Sequence, residues 1–236
     1  MISVAVIGCG YWSKNIVRNL IKIKKCKITY LCDAEIKNAE FFKKKFALTN
    51  SLTTSNYREI QNIDACFIVT PIKTHFKFIK FFLNKCHIFV EKPICYNLNE
   101  LKYIIANSKN NKKLLMTGHI YLYNKSLDKI NDIRNKYNSG DILTLYSTRT
   151  NLGRIQSDIN SLWSFAPHDI TIMYKILGRL PKSVSCFGFN LINKKLEDMV
   201  YLILHYHDIK VSFQLGWFHP NKIRETIIIC KNKIIV

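Results

Sequence analysis

The chain has 236 residues, of which 48% are hydrophobic and 22% are charged, and this composition excludes disorder as its main state. Its length suits one large or two small domains that bury a core. The 36 Lys and Arg residues exceed the 16 Asp and Glu residues, giving a net charge of +20, and no apolar run approaches the ~18 residues of a membrane span.

The positive charge comes mainly from lysine. The chain contains 29 Lys, 34 Ile and 22 Asn residues but only 7 Arg residues. All three abundant residues have A/T-rich codons, so a biased base composition explains the charge without a ligand. A nucleic-acid-binding protein more often collects Arg and Lys on one face beside aromatic residues. We therefore expect no nucleic-acid partner, although the charge could steer an anionic small molecule to the protein.

The cysteines and the first residues bear on the compartment. The eight cysteines form no CxxC pair and show no regular spacing, which favours reduced thiols over disulfides or a metal site. The opening MISVAVIGCG lacks a basic segment before its apolar residues, so no secretory signal is predicted. We expect a cytoplasmic protein with no metal and no membrane partner.

The first half of the chain alternates short apolar strands with amphipathic helices. Strands are predicted at residues 2–7, 27–32, 63–70, 87–90 and 113–117, and helices at residues 11–23, 35–46, 74–85 and 97–108. Such alternation predicts a doubly wound α/β domain over residues 1–120, with a parallel sheet covered by helices on both faces.

The pattern changes in the second half. A helix is predicted at 122–137, a strand at 141–150, a loop at 151–160 and a helix at 161–177, followed by strands at 182–190, 199–207, 210–217 and 225–230. Consecutive strands after a helical segment predict an α+β domain with a largely antiparallel, open sheet over residues 121–236. No Pro- or Gly-rich linker separates the halves, so we expect a packed junction near residue 120.

A glycine turn follows the first predicted strand. In Gly8-Cys9-Gly10-Tyr11-Trp12-Ser13, the first Gly permits a tight turn and the second lets the backbone approach a pyrophosphate. The helix that begins there offers N–H groups to the same anion. Ser13 stands where Gly or Ala is usual. Alone, this turn is weak evidence, because glycine turns occur in other α/β folds.

Asp33 strengthens the interpretation. It ends the second predicted strand, 23 residues after Gly10, where a carboxylate binds the ribose hydroxyls of a dinucleotide. The same carboxylate would repel a 2′-phosphate. The two features together predict a Rossmann domain that binds NAD in preference to NADP.

Two further motifs are candidates for the chemistry. Glu91-Lys92-Pro93 follows a parallel strand, at the sheet edge where open α/β sheets bind ligands. A lysine there could lie beside the nicotinamide and meet a substrate hydroxyl, although a surface lysine in a turn would look the same. His168 lies in a predicted helix, where a lone histidine is usually structural.

Six ordered motifs together resemble a known family. They are GCGYWSKN at 8–15, TPIKTH at 70–75, EKP at 91–93, GHIYLYN at 118–124, RTNLG at 149–153 and LWSFAPHDI at 162–170. The chain resembles the Gfo/Idh/MocA oxidoreductases over essentially its whole length, and within them the branch that acts on nucleotide-linked sugars. The resemblance implies a Rossmann domain followed by an α/β domain whose open sheet forms a homo-oligomer interface.

The resemblance also implies roles for individual residues. Lys92 is then the catalytic lysine, next to a Lys92–Pro93 bond that is expected to be cis, and His168 is the active-site histidine. The implied cofactor-binding residues are Gly8, Gly10, Tyr11, Trp12, Ser13, Asp33, Thr70, Pro71, His75, Glu91, Lys92 and Pro93. The implied substrate-binding residues are Tyr123, Arg149, Asn151 and His168.

These inferences predict an NAD-dependent sugar dehydrogenase. It would transfer a hydride between nicotinamide and a ring carbinol of a UDP-linked N-acetylhexosamine or its uronate. Two departures leave an alternative, a non-catalytic NAD-binding remnant or sensor of the same fold. Ser164 stands where this branch commonly has Asp, and family chains generally continue beyond the stretch that resembles residues 222–236, so we expect a shortened second domain.

Overall fold

The computed structural model describes residues 1–109, 112–136, 142–152, 158–192 and 194–236. It divides into two units, Met1–Gly118 and His119–Val236. No helix in the described ranges is long and apolar enough to cross a membrane.

The first unit is built on a six-stranded parallel sheet. Its elements are β1 (Ile2–Ile7), α1 (Ser13–Lys22), β2 (Cys26–Cys32), α2 (Ile36–Lys45), β3 (Leu52–Thr54), β4 (Ala65–Ile68), α3 (Ile72–Phe82), β5 (His87–Val90), α4 (Leu98–Lys109) and β6 (Leu115–Thr117), with a 3-10 helix at Tyr57–Glu59. The strand order is β3-β2-β1-β4-β5-β6, and every neighbouring pair is parallel. This arrangement confirms the predicted doubly wound sheet.

Alternation along β1 divides the core of this unit. Val4 and Val6 pack in one buried cluster with residues of α1 and α2. Ala5 and Ile7 belong to a second cluster with residues of α3 and α4. Because successive side chains of a strand point to opposite faces, one apolar strand is covered by helices on both sides. Residues at the carboxyl ends of β1, β2 and β4 line a cleft at that end of the sheet.

The second unit combines a mixed sheet with two helices. Its elements are a 3-10 helix at Ile120–Tyr123, α5 (Lys125–Lys136), β7 (Ile142–Thr150), α6 (Ser161–Leu177), β8 (Ser183–Phe189), β9 (Met199–His205), β10 (Lys210–Gly216), β11 (Ile223–Cys230) and β12 (Ile234–Ile235). The order is β12-β11-β7-β10-β9-β8, and only β7 and β10 pair in parallel. The predicted, largely antiparallel sheet is confirmed.

Both helices pack on one face of this second sheet. Leu127 of α5 and Met173 of α6 share a buried cluster with Leu145, Val211 and other strand residues. α6 begins at an Asn160 cap, whose side chain accepts a hydrogen bond from the Trp163 N–H at 3.0 Å. The other face of the sheet carries no helix among the described residues.

Two differences from the sequence prediction are local. The helix predicted over 122–137 is divided at Asn124, whose side-chain oxygen accepts a hydrogen bond from the Ser126 N–H at 2.9 Å and caps α5. β3 and β12 are too short to give a readable pattern and were not predicted. Parts of three predicted features lie outside the described residues. They are the end of the predicted helix at Tyr137, the start of the predicted strand at Asp141 and the last residue of the RTNLG motif, Gly153.

Candidate active site

The two glycines of the turn after β1 meet different surroundings. Gly8 has a φ of +92°, and a Cβ on it would lie 2.6 Å from the Val69 carbonyl oxygen. A Cβ on Gly10 would meet nothing within 4 Å, so open space lies against the backbone there. Gly8 is therefore required by the fold, whereas the missing side chain of Gly10 leaves room for a ligand.

Ser13, the residue in the third glycine position, is fully buried. Its hydroxyl donates a hydrogen bond to the Gly8 carbonyl oxygen at 2.5 Å, which ties the start of α1 to the turn. Tyr11 and Trp12, by contrast, are exposed. The side chain of Ser13 is used inside the turn, so only its backbone could meet a cofactor.

Asp33 is held by three donors at the end of β2. Its Oδ2 accepts a hydrogen bond from the Cys9 N–H at 2.7 Å, and its Oδ1 accepts from the Glu35 N–H at 3.0 Å and from Asn38 Nδ2 at 3.1 Å. Burial, with a smaller effect of the Asp33 charge, raises the pKa of Cys9 to about 12 and that of Cys32 to about 11. Both thiols therefore stay neutral, and Asp33 supplies the negative charge at this point.

A cleft of about 690 Å³ joins these features within the first unit. It is lined by Ile7, Gly8, Gly10, Cys32, Asp33, Ala34, Ser55, Asn56, Tyr57, Val69, Thr70, Pro71, Thr74, Lys77 and Phe78. The open space at Gly10, the start of α1 and an anchored carboxylate are what a dinucleotide needs for its pyrophosphate and ribose. The residues present fit NAD.

The segment after β4 supplies one wall of this cleft. Thr70 and Pro71 line it, and the Thr74 hydroxyl donates a hydrogen bond to the Thr70 hydroxyl at 2.7 Å. His75 lies behind this wall and is only 1% exposed. Its Nε2 is 2.8 Å from the Thr70 carbonyl oxygen, and its Nδ1 is 2.9 Å from the Pro93 carbonyl oxygen. Any contribution of its ring to cofactor binding is thus indirect.

Glu91, Lys92 and Pro93 form the turn after β5. Glu91 is buried, and its Oε1 accepts a hydrogen bond from Trp12 Nε1 at 2.7 Å, which connects this turn to the glycine turn. Burial raises the pKa of the Glu91 carboxyl, and the donors from Trp12 and the Lys92 N–H, with the Lys92 charge, offset part of that rise. Lys92 is half-buried, and its peptide bond to Pro93 is cis, as the resemblance implied.

In the second unit, His168 lies on α6 beside an aromatic ring. The half-buried imidazole meets the Tyr121 ring edge-on, with ring centroids 5.2 Å apart. Tyr123, predicted to bind substrate, is 69% exposed, and Tyr121, two residues earlier, makes the contact. The role of Tyr123 in substrate binding stays a prediction, and the tyrosine that contacts His168 is Tyr121.

Arg149 forms a buried, bidentate ion pair with Asp169. Its Nε lies 2.6 Å from Asp169 Oδ2 and its Nη2 2.9 Å from Oδ1, while Nη1 donates to the Tyr121 hydroxyl at 3.0 Å. Burial alone would lower the pKa of Arg149, but the bonds and charge of Asp169, helped by Tyr121, raise it. Arg149 is only 5% exposed, and its contact with substrate stays a prediction.

Arg224 is an exposed cation next to this cluster. It lies opposite Arg149 in the β7–β11 register, and its guanidinium donates to the Thr150 carbonyl oxygen at 2.8 Å and to Asn151 Oδ1 at 2.6 Å. Its Cζ is 5.2 Å from the Phe165 ring centroid. No salt bridge within the described ranges involves Arg224. Its charge is available to an anionic ligand.

Sequence reasoning missed three of these residues as site members. Asp169 had a signal, because a carboxylate directly after the candidate histidine, on a buried helix face, needs a cation nearby. Tyr121 lies in the same motif as Tyr123, and only the turn geometry at Asn124 distinguishes them. Arg224 had no local signal, since its position depends on the pairing of β11 with β7.

The fold and the cleft define an NAD-binding protein of the Rossmann type. Residues 2–119 match the Gfo/Idh/MocA model, described as an oxidoreductase family with an NAD-binding Rossmann fold. The match covers half of the chain, so the chain belongs to this family, and NAD is its cofactor.

Two curated relatives extend the likeness into the second unit. The chain is 23% identical over 234 residues to 2,7-anhydro-N-acetylneuraminate hydratase of Escherichia coli (strain K12), and 21% identical over 234 residues to an uncharacterized oxidoreductase of Streptococcus pneumoniae serotype 4. In both cases the match covers 92% of this chain and 62% of the relative. The chain thus spans about three-fifths of the length of these relatives.

Solved structures share the fold at low sequence identity. GenD2 from gentamicin A biosynthesis, in complex with NAD, has a TM-score of 0.90 at 14% identity, over 99% of this chain and 71% of that one. The scyllo-inositol dehydrogenase of Lactobacillus casei, with bound NAD(H) and scyllo-inositol, has a TM-score of 0.84 at 19% identity, over 100% and 75%. None of these names includes a nucleotide-linked sugar, so that branch stays a proposal.

Proposed function

We propose that this chain is the core of an NAD-dependent dehydrogenase that oxidises a ring hydroxyl of a sugar, or catalyses the reverse reduction. The observation that carries this proposal is the cleft in the first unit, where Gly10 opens onto space and Asp33 presents an anchored carboxylate. Bound NAD would accept a hydride from the ring C–H. The chain's own residues must then hold the cofactor and move the hydroxyl proton.

Lys92 and His168 are the proposed proton-handling pair. Lys92 lies in the turn after β5, in the half of a Rossmann sheet that receives the nicotinamide end of a dinucleotide. His168 is oriented by the Tyr121 ring, which the Arg149 guanidinium contacts in turn. Either side chain could accept the hydroxyl proton as a general base.

The proposed substrate carries a negative charge as well as a sugar ring. Arg224 supports this, because it is exposed, contacts the ring of Phe165, three residues before His168 on α6, and is held in place by Asn151. A planar guanidinium suits a carboxylate or a phosphate. A UDP-linked N-acetylhexosamine carries a diphosphate, and its uronate carries a carboxylate as well. The sialic-acid derivative named for the E. coli relative is also an anionic sugar.

A substrate panel tests this proposal. The chain with NAD would be given UDP-N-acetylglucosamine, its uronate, UDP-glucose and myo-inositol, and NADH formation would be followed by absorbance. We expect turnover of a UDP-N-acetyl sugar and loss of it in Lys92→Ala. Arg224→Gln should raise KM for the uronate about tenfold, as expected for a lost charged hydrogen bond, and leave KM for myo-inositol unchanged. Turnover of myo-inositol alone would contradict the anionic substrate.

A second candidate function is a sensor that binds NAD without turnover. Ser164, buried one helical turn before His168, favours it, because this branch commonly has a carboxylate there. The sensor would bind NADH with normal affinity and give no product with any member of the panel. Turnover with any sugar would exclude it.

The second-unit sheet is proposed to form a homo-oligomer interface. Phe187, Phe189 and Tyr201 are exposed on the face opposite the helices, and the rings of Phe189 and Tyr201 contact each other with centroids 6.1 Å apart. Exposed aromatic patches of this kind commonly mark contact surfaces. Light scattering should give an oligomer for the parent and a smaller species for Phe187→Lys. A monomeric parent would contradict the proposal.

We place the protein in the cytoplasm. All eight cysteines are free thiols in the structure, which fits a reducing compartment. Fluorescence microscopy of a tagged chain in its host would test the location, and a signal confined to an envelope fraction would contradict it.

A further inference from the structure

His75 connects two segments that follow neighbouring strands. It lies in the first turn of α3, is 1% exposed, and has a main-chain carbonyl oxygen within 3 Å of each ring nitrogen. One carbonyl belongs to Thr70, after β4, and the other to Pro93, after β5. A single buried ring therefore spans the ends of two adjacent strands.

The chemistry of the ring makes both contacts specific. A carbonyl oxygen only accepts hydrogen bonds, so each ring nitrogen must carry a proton to bond well. Burial lowers the pKa of His75, and the two carbonyls oppose this effect. A neutral ring carries one N–H and donates to one carbonyl in each of its two tautomers. A charged ring carries two N–H groups and donates to both carbonyls at once.

The two carbonyls belong to functionally different parts of the first unit. Thr70 lines the 690 Å³ cleft together with Gly8, Gly10 and Asp33. Pro93 directly follows Lys92, and neither of these residues lines that cleft. The ring thus connects the wall of the dinucleotide cleft with the turn that bears the proposed catalytic lysine.

We propose that His75 is a positioning residue that couples cofactor binding at the Thr70 wall to the placement of the Lys92 turn. This inference rests on the proposed function, because it assigns the Lys92 turn to the nicotinamide end. In this proposal His75 acts through the two backbone carbonyls and does not contact the cofactor.

Two conservative variants separate the two contacts. In His75→Gln, the amide nitrogen takes the place of Nε2 and can keep the bond to Thr70. In His75→Asn, the amide nitrogen takes the place of Nδ1 and can keep the bond to Pro93. His75→Leu removes both, and His87→Asn, a change on β5 at the opposite end of the strand, is the matched control. The probes are ADP-ribose, which lacks nicotinamide, and NADH, whose fluorescence reports the surroundings of its dihydronicotinamide ring.

The Gln and Asn variants of His75 are expected to lose different parts of cofactor binding. His75→Gln should bind ADP-ribose within about twofold of the parent but lose most of the fluorescence enhancement of bound NADH. His75→Asn should keep that enhancement at saturation but bind ADP-ribose roughly tenfold more weakly, the loss expected for one buried hydrogen bond. His75→Leu should show both defects and His87→Asn neither. Equal losses in the Gln and Asn variants, or parent-like binding by His75→Leu, would overturn the proposal.

A second measurement covers the case in which these variants fail to fold. In the unaltered protein with ¹⁵N-labelled histidine, NADH and ADP-ribose should both shift the Nε2 signal of His75, and only NADH should also shift Nδ1. Unchanged ring signals with both ligands would overturn the proposal. Failure of the parent to bind NADH would instead count against the proposed function, so the two failures are distinguishable.

Discussion

Replacing each glycine of the turn after β1 is expected to produce a different defect. In Gly8→Ala, the new methyl group would lie 2.6 Å from the Val69 carbonyl oxygen and 2.8 Å from Thr70 Cγ2, on a residue whose φ is +92°. Backbone strain of this kind costs about 1–3 kcal/mol, and overpacking costs about 1–3 kcal/mol more. The sum of about 2–6 kcal/mol is a large part of the 5–15 kcal/mol that typically holds a domain folded.

Gly10→Val should leave the fold nearly unchanged. A Cβ at Gly10 meets nothing within 4 Å, and Gly10 does not have a positive φ. The change in free energy of unfolding should stay within about 0.5 kcal/mol. The added side chain fills the space proposed for the pyrophosphate, where each lost charged hydrogen bond is worth about 1.5–3 kcal/mol. NAD affinity should therefore fall by more than about 100-fold.

Urea unfolding followed by circular dichroism, together with NAD calorimetry, measures both effects. Gly10→Ala serves as the graded control, with an intermediate loss of affinity and parent-like stability. If Gly8→Ala were as stable as the parent, the contact with Val69 would not be limiting. If Gly10→Val bound NAD with parent-like affinity, the phosphate site would lie elsewhere.

Three further sets of variants test the site. Asp33→Ala should lose most of the preference for NAD over NADP, and equal calorimetric affinities of the unaltered protein for the two cofactors would contradict the role of Asp33. Lys92→Ala and His168→Ala should each slow NADH formation about 10²–10⁴-fold, and the double variant should lose far less than the product, because residues that act as a unit are non-additive. A parent-like rate in Lys92→Ala would remove the mechanism, whereas Ser164→Asp should raise the rate if a carboxylate there orients His168. Because burial raises the folded-state pKa of Glu91 above its ordinary value of 4.5, its contribution to stability is present below about pH 4.5 and is lost as the pH rises through the folded-state pKa. Glu91→Gln should thus increase the free energy of unfolding relative to the parent near neutral pH, and should do so less at about pH 4. A parent-like pH dependence in urea unfolding would contradict this.

The elements could be predicted from the sequence because their patterns are local. The helix predicted at residues 161–177 is α6, and the strand predicted at 87–90 is β5. The division at Asn124 was missed, because the apolar spacing continues through it, and only the capping geometry interrupts the helix. Strands of two or three residues, such as β3, carry too few side chains for alternation to be read.

Only part of the site could be predicted, and whether a residue could be predicted depends on how far apart in the sequence its partners lie. The glycine turn and Asp33 are ends of consecutive strands, so topology brings them to one edge. Arg149 and Arg224, by contrast, are 75 residues apart and meet through the pairing of β7 with β11. Which arginine is buried and which is exposed depends on the position of Asp169, and this position is a property of packing.

The buried pair of Arg149 and Asp169 is better explained by orientation than by stability. Taking two charges out of water costs several kcal/mol per ion, and well-packed apolar residues in their place are often as stable. Here the pair also organises its neighbours, because Ser147 donates to Asp169 at 2.9 Å and Arg149 donates to the Tyr121 hydroxyl. The Tyr121 ring in turn contacts His168, which directly precedes Asp169 on α6. The imidazole is thus held on one side by the α6 backbone and on the other by the series of contacts from Asp169 through Arg149 to Tyr121. A ring held from two sides is limited to few orientations.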